Sequence, residues 1–303
     1  MAGPITVGFD GSPQSLAAAR WAAREAELRG ARLELVQAWP WAAPHLLAAD
    51  DAVAEGRRWL NHAETELRAM LPEVEVTGTQ IPATAVDTLL EASGRASMVV
   101  LGSRGLGMLR GFLVGSVSQH VLARASCPVV LVRARDEPAD RTADEAADKT
   151  PDGTPDEPAE RTAEVVLGLD LDRPGDEVLG FAFEAAALRG MPLRVIHCWR
   201  PPTGDEYRSF TAIAGMDEEL TAGEQQRLAD AIAPWREKYP DLEVSPALLR
   251  GSAAATLVEA AGRPDLLVVG RRSRRGALGS RLGPVAHAAV HHVHSPVAVV
   301  PHG

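Results

Sequence analysis

Short apolar runs alternate with longer amphipathic stretches along this 303-residue chain. In the first part, the apolar runs have the length and β-branched content of buried strands and lie at 5–9, 32–39, 74–81, 98–101 and 129–132. The stretches between them carry apolar residues at helical spacing and lie at 15–29, 48–71, 87–94 and 115–125. This alternation of strand and helix predicts a parallel sheet covered by helices.

The rest of the chain repeats this pattern. The recurring residues are glycines, prolines and strand-ending acids, among them Asp10 and Asp170, Gly102 and Gly270, Gly115 and Gly283. We therefore predict two like domains, at 1–133 and 164–303. The last strands, 129–132 and 297–300, are apolar edges, so we expect the domains to pair there within the chain. The sequence also leaves a homodimer open.

The segment 134–163 interrupts the repeat. With Glu164 it holds eleven acids and four bases and no large apolar residue, so it carries most of the chain's net charge of −10. The composition is typical of a disordered acidic linker. Within it, DEPADRTAD from Asp136 returns as DEPAERTAE from Asp156.

Composition narrows the class of protein. Apolar residues make up 46% of the chain but aromatic residues only 4%, so alanine, valine and leucine must fill the cores, as in α/β proteins. The acidic balance argues against nucleic acid or an anionic membrane as a partner, and no apolar run is long enough to cross a bilayer. Two distant cysteines and the absence of a leader pattern favour a reducing, cytoplasmic location.

The candidate chemistry lies between Met98 and Val132. An apolar run enters a loop with five glycines, and a helix begins near Gly115. A glycine loop that opens a helix presents bare N–H groups and the positive end of the helix dipole, which favours an anion. The loop has no Gly-Lys-Ser/Thr ending, and Arg110 stands where a dinucleotide fingerprint needs its third glycine.

What does fit is Gly102-x2-Gly105-x9-Gly115-Ser116. This spacing resembles the ATP-binding signature of the universal stress protein family. The resemblance implies flavodoxin-like domains (adenine nucleotide alpha hydrolase-like), each with a five-stranded parallel sheet and helices on both faces. It also implies an adenine nucleotide at the carboxyl ends of the strands, which is where open α/β sheets bind ligands in general.

The resemblance assigns a role to each residue of the pattern. Asp10 is expected to hydrogen-bond the adenosine, and Ala38 to offer its backbone to the adenine. Gly102 and Gly105 are expected to admit ribose and phosphate, and the residues at the helix start to bind phosphates: Gly115, Ser116 and Val117. The expected ligand is ATP, with or without Mg²⁺.

Each assignment has a simpler alternative. Asp10 is also suited to brace the turn that follows it, and Ser116 to cap its helix. The glycines are equally suited to loop geometry alone. The joint spacing, rather than any single residue, favours ATP.

The second copy departs from the signature. Ser273 stands in place of Gly105, and Pro284 in place of Ser116, which removes a hydroxyl and an N–H group. Four arginines make this loop basic, namely Arg271, Arg272, Arg274 and Arg275. We interpret it as a solvated basic loop or as a site for a different anion or a weakly held nucleotide.

No catalytic or metal-ligating set stands out. His287, His291 and His294 have the spacing of one helix face, which favours a solvated histidine face over a metal site. We expect Cys127 to be a small buried residue, and Cys198 to lie at the mouth of the second site.

The expected function is stress response or regulation by ATP binding. The alternatives are slow ATP hydrolysis or nucleotidyl or phosphoryl transfer at the same loop, and an interaction module without nucleotide.

The linker interpretation predicts the effect of a deletion. Removing 136–155 should change the melting temperature little, because the entropy of loop closure varies only slowly with loop length. Differential scanning calorimetry of the deleted and full chains measures this. A large drop in melting temperature would mean that the segment packs against a domain.

Overall fold

The structure is a computed structural model that describes residues 3–39, 49–105, 112–113, 115–134, 162–201, 216–272 and 282–303. The predicted linker lies outside the described residues except at its ends. Thr162 and Ala163, which the sequence analysis assigned to the linker, belong to a strand instead. The reason is that the Thr162 N–H donates to the Arg263 carbonyl at 2.9 Å, which extends the sheet backward.

Apart from the short strand β5 of the first domain, the described parts of the two domains contain the same succession of elements. The first domain consists of β1 (Ile5–Gly8), α1 (Pro13–Arg29), β2 (Leu33–Ala38), α2 (Ala49–Met70), β3 (Val76–Ile81), α3 (Ala85–Ser93), β4 (Met98–Gly105), β5 (Phe112–Leu113), α4 (Ser116–Arg124) and β6 (Val129–Arg133). The second consists of β7 (Thr162–Gly168), α5 (Asp176–Arg189), β8 (Leu193–Trp199), α6 (Met216–Lys238), β9 (Val244–Arg250), α7 (Ala253–Ala261), β10 (Pro264–Arg272), α8 (Pro284–His292) and β11 (Val297–His302).

One sheet runs through both domains. Within the described residues the strand order is β3-β2-β1-β4-β6-β11-β10-β7-β8-β9, and β5 pairs only with β4. The strands are parallel within each half, giving the five-stranded flavodoxin-like order twice. The last strands of the two halves meet antiparallel, with Ala298 opposite Val130 and Val299 opposite Val129.

Helices cover both faces of this sheet. One buried cluster combines the strands with α1, α2, α5 and α6, and the other combines them with α3, α4, α7 and α8. Each cluster includes residues of both domains. The apolar residues that fill them are mainly alanine, valine and leucine, as the composition predicts.

Helix α1 shows how local sequence sets an element. The Ser12 hydroxyl accepts a hydrogen bond from the Ser15 N–H at 3.2 Å, so it caps the first turn. Gly30 ends the helix in the left-handed conformation, with φ of 58°. Between these ends, alanines fully buried against the sheet let the helix pack closely, among them Ala18, Ala19 and Ala22.

A buried ion-pair cluster joins α1 to α5. Both carboxylate oxygens of Glu25 accept from arginines, one from Arg29 Nε at 2.5 Å and the other from Arg189 Nη2. Arg29 also reaches Glu184 across the domain boundary at 2.8 Å. The two guanidinium groups lie over aromatic rings of the opposite domain, Arg29 over Phe181 and Arg189 over Trp21. Glu25 therefore holds together two cations from different domains.

Removing this carboxylate should be costly. In Glu25→Ala, two neighbouring guanidinium groups lose their shared buried partner, while Arg29 keeps Glu184 and Arg189 keeps Asp265. Breaking a buried pair typically destabilises by about 3–5 kcal/mol, and the remaining partners should hold the loss near the lower end of that range. The matched control is Glu34→Ala, which breaks the exposed pair with Arg95 and should lower stability by less than about 1 kcal/mol. Urea unfolding of both variants measures the difference. Equal losses would show that Glu25 does not organise this contact.

Candidate functional site

The carboxyl ends of three neighbouring strands bring part of the predicted site together. Gly8 at the end of β1 pairs with Val36 on β2 and with Leu101 on β4. Asp10 therefore lies just beyond β1, between Ala38 at the end of β2 and Gly102 on β4. These three predicted residues share one edge of the sheet.

Asp10 braces the turn that follows it. Its Oδ1 accepts hydrogen bonds from the Ser12 N–H, at 3.0 Å, and from the Ser12 hydroxyl. Gly11 between them has φ of +79°, a conformation that favours glycine. The simpler alternative for Asp10 is thus present in the structure, and the carboxylate remains exposed at the sheet edge.

Gly102 is required by the protein's own packing. A Cβ at this position would lie 2.4 Å from the Gln14 carbonyl oxygen, in the first turn of α1. Any larger residue would push α1 away from β4. Gly105 ends β4 and pairs antiparallel with Phe112 of β5. The residues between them, 106–111, lie outside the described chain.

The start of α4 is open. Gly115 occupies the N-cap position without a side-chain cap, whereas Ser12 and Thr84 cap α1 and α3. No described atom lies within 4 Å of a Cβ built on Gly115, apart from its chain neighbours. Ser116, the first residue of α4, is exposed, and Val117 is half-buried. Because the first N–H groups of a helix have no intrahelical acceptor, this end is suited to an anion.

The signature segment also contains a buried hydroxyl. Ser103, directly after Gly102, is 3% exposed, and its Oγ has no hydrogen-bond partner among the described residues. A buried hydroxyl without a partner is unfavourable unless something satisfies it. Ser103 therefore lies within the signature segment with a buried hydroxyl for which the described residues provide no partner.

Trp59 is a neighbour of the site that the sequence analysis missed. Trp59 is 45% exposed, whereas Leu67 on the same helix is fully buried. Its ring covers Gly11, where a Cβ would lie 2.2 Å from Trp59 Cε3. The buried face of α2 runs through Leu60, Ala63 and Leu67. A helical projection of these positions would have set Trp59 at its margin, next to the Asp10 turn.

The equivalent edge of the second domain forms a cleft of about 1230 Å³. Asp170 keeps the position of Asp10 and accepts from the Asp172 N–H at 3.1 Å. Arg272 lies 3.8 Å from Asp170 and is half exposed, whereas Arg271 is 5% exposed. The prediction of a solvated basic loop is therefore wrong for Arg271, because its guanidinium binds buried carbonyl groups of the other domain. Ser273, Arg274 and Arg275 lie outside the described residues.

His302 occupies part of this cleft. Cβ atoms built on Gly175 and Gly270 would lie 2.7 Å and 2.8 Å from atoms of His302. Helix α5 begins at Asp176, three residues later in the repeat than α1 does, which makes room for the imidazole. Burial lowers the pKa of His302, so the ring is uncharged near neutral pH. The second cleft thus differs from the first edge in shape as well as in its loop sequence.

A polar chain that the sequence analysis did not find lines the same cleft. His197 Nδ1 lies 2.9 Å from the Leu169 carbonyl, and its Nε2 lies 3.8 Å from Glu224. Arg227 bonds Glu224 at 2.8 Å and Asp172 at 3.2 Å. Glu224 and Arg227 come from α6, far from the loop in sequence, so no local motif would have linked them to Asp172.

Of the remaining candidates, Cys198 lines the second cleft, as predicted. Helix α8 ends at His292, so His294 does not continue the face formed by His287 and His291. The ring centroids of that pair are 4.4 Å apart. No group of three or more potential metal ligands occurs in the described part of the chain. Burial raises the pKa of Cys127 to about 11 and also raises the pKa of Cys198, so both thiols stay protonated near neutral pH.

The fold defines a tandem of two α/β domains, and the glycine-rich signature of the first domain begins on β4 and ends at the start of α4. The profile of the universal stress protein family matches residues 1–133 and 162–301. The chain belongs to this family.

The similarity extends over nearly the whole chain. A universal stress protein of Mycolicibacterium smegmatis is 33% identical over an alignment of 312 positions, which covers 98% of this chain and 96% of that protein. A crystal structure of a universal stress protein from Archaeoglobus fulgidus covers 99% of this chain and 98% of its own, with a TM-score of 0.62 and 17% identity, so it shows the fold alone. Another solved universal stress protein, in complex with cAMP, covers 44% of this chain at 27% identity and a TM-score of 0.34.

Within the described residues, no helix combines the length and the apolar character needed to cross a bilayer.

Proposed function

We propose that this universal stress protein binds ATP, with or without Mg²⁺, at the sheet edge of its first domain. The observation that carries the proposal is the uncapped start of α4 within the complete spacing Gly102, Gly105, Gly115, Ser116. Phosphates would meet the N–H groups of Ser116 and Val117 and the Ser116 hydroxyl. Helix N-termini bind phosphate because their N–H groups are unpaired and their dipole is positive there.

The nucleoside would lie on the neighbouring strands. Asp10 would accept from the ribose, and the Ala38 backbone would meet the adenine. The exposed ring of Trp59, packed on Gly11, borders this region and offers an apolar wall. Binding of a nucleotide there should also change the fluorescence of Trp59.

We propose regulation by binding rather than rapid turnover. Asp10, the carboxylate of the predicted set, holds the Ser12 turn through Oδ1, and that geometry supports a structural and binding role. Incubation with ATP and Mg²⁺ followed by product analysis separates this from the alternative, slow hydrolysis or group transfer. Competition by ADP and cyclic nucleotides identifies the preferred ligand, and nucleotide-free purified protein that binds none of them would indicate an interaction module.

Cellular placement and assembly are part of the proposal. We expect the protein to act in the cytoplasm, supported by two free cysteines in the described residues. We expect the antiparallel β6–β11 contact to hold the two domains together in solution, with a homodimer as the alternative arrangement. Light scattering of the purified chain distinguishes a monomer from a dimer.

Binding should be confined to the first domain, and reciprocal exchange of one residue tests this. Gly115 has φ of −59° and ψ of 155°, the backbone that a residue before proline adopts, and Gly283 before Pro284 is nearly the same. Ser116→Pro should therefore keep α4 while removing an N–H group and a hydroxyl. Loss of two such bonds, at about 1.5–3 kcal/mol each, should weaken ATP binding a hundredfold or more.

Calorimetry measures the outcome. The wild-type chain should bind about one ATP per chain, because the start of α4 alone is proposed to bind the phosphates. Ser116→Ala, which removes only the hydroxyl, should weaken binding less than Ser116→Pro, and Pro284→Ser should leave first-domain affinity unchanged. A stoichiometry of two would reject confinement to one domain. Unchanged affinity in Ser116→Pro would reject the site.

A further inference from the structure

A buried arginine of the second domain binds the far end of helix α4. Arg271, on β10, donates from Nη1 to the Ala123 carbonyl at 3.0 Å and from Nη2 to the Ala125 carbonyl. Ala123 lies in the last turn of α4, and Ala125 is its C-cap residue. The Arg271 side chain is buried, so the guanidinium closes this end of the helix away from water.

The last carbonyls of a helix have no intrahelical donor and carry partial negative charge. A guanidinium satisfies two of them at once and stays charged, although burial lowers the pKa of Arg271. The interaction fixes the axial position of α4 and offsets the negative end of its dipole. Since α4 has nine residues, its phosphate-facing start lies about 14 Å away, one rigid helix length.

The second domain has a related but different contact. Arg133, on β6 of the first domain, donates from Nη2 to the Val290 carbonyl in α8 at 3.1 Å. In the repeat, however, Arg271 takes the position of Ser103, a short side chain that lies within the first-domain signature. Each domain thus holds the signature helix of the other, using residues at different positions.

We propose that Arg271 is a positioning residue for phosphate binding in the first domain, so that the second domain completes the first domain's site. This inference rests on the proposed ATP site. It gives the second domain a function that does not depend on whether its own cleft binds a ligand. Arg271 is also one of the residues that line that cleft.

The test compares ligands with and without phosphate on the full chain. Arg271→Met should raise the Kd for ATP about tenfold, because a cation at a partly buried helix end contributes on that scale. The affinity for adenosine should stay unchanged, since adenosine has no phosphate to meet α4. Arg271→Lys, which keeps the charge, should restore much of the ATP affinity. If Arg271→Met does not fold, Arg271→Gln replaces it, retaining N–H donors without the charge.

The matched control is Arg133→Met, which removes an equally buried arginine from α8 and should leave the Kd for ATP unchanged. The inference is overturned if Arg271→Met weakens the binding of ATP and of adenosine equally, or if the control weakens ATP binding as much as Arg271→Met does. Either result would show that Arg271 contributes only general packing at the interface. An Arg271→Met variant that binds ATP with the same Kd as the wild-type chain would overturn it as well. Absence of ATP binding by the wild-type chain would instead reject the proposed function on which the inference rests.

Discussion

Backbone hydrogen bonds between β6 and β11 join two parallel sheets into one. Because both are last strands, their pairing covers two apolar edges that would otherwise invite association with other chains. It also brings the signature helices close enough for Arg271 and Arg133 to reach the opposite domain. On the other face, the same junction brings α1 and α5 together around Glu25. The interdomain contacts on both faces of the sheet therefore depend on the register of the β6–β11 pairing.

The two domains use one architecture with different edges. In the first, α1 starts so close to β4 that Gly102 has no room for a side chain, and α4 begins with Ser116. In the second, α5 starts later, His302 fills the space beside Gly270, and Pro284 replaces a donor. The sequence repeat conceals this divergence, since the glycines at matching positions face different neighbours.

Sequence patterns predicted the fold because strand alternation, helix caps and the repeat are local signals. They placed the start of α4, and the family assignment is confirmed, but β4 continues to Gly105 beyond its predicted end at Leu101, and β5 was not predicted. They missed Trp59, Arg271 and His302, whose surroundings depend on packing between distant segments. They also extended the linker over Thr162 and Ala163, because a hydrogen bond to Arg263 leaves no local trace. The roles of the individual site residues stay predictions.

The central claim is that ATP phosphates meet the first turn of α4. The most direct measurement is the change of backbone amide chemical shifts in a ¹H–¹⁵N NMR titration of the full chain with ATP. The account predicts that the largest shifts occur at Ser116 and Val117, with smaller ones beside Asp10, and that the amides near Pro284 stay in place. Shifts concentrated around Asp170 and Gly283, with Ser116 and Val117 unchanged, would contradict it.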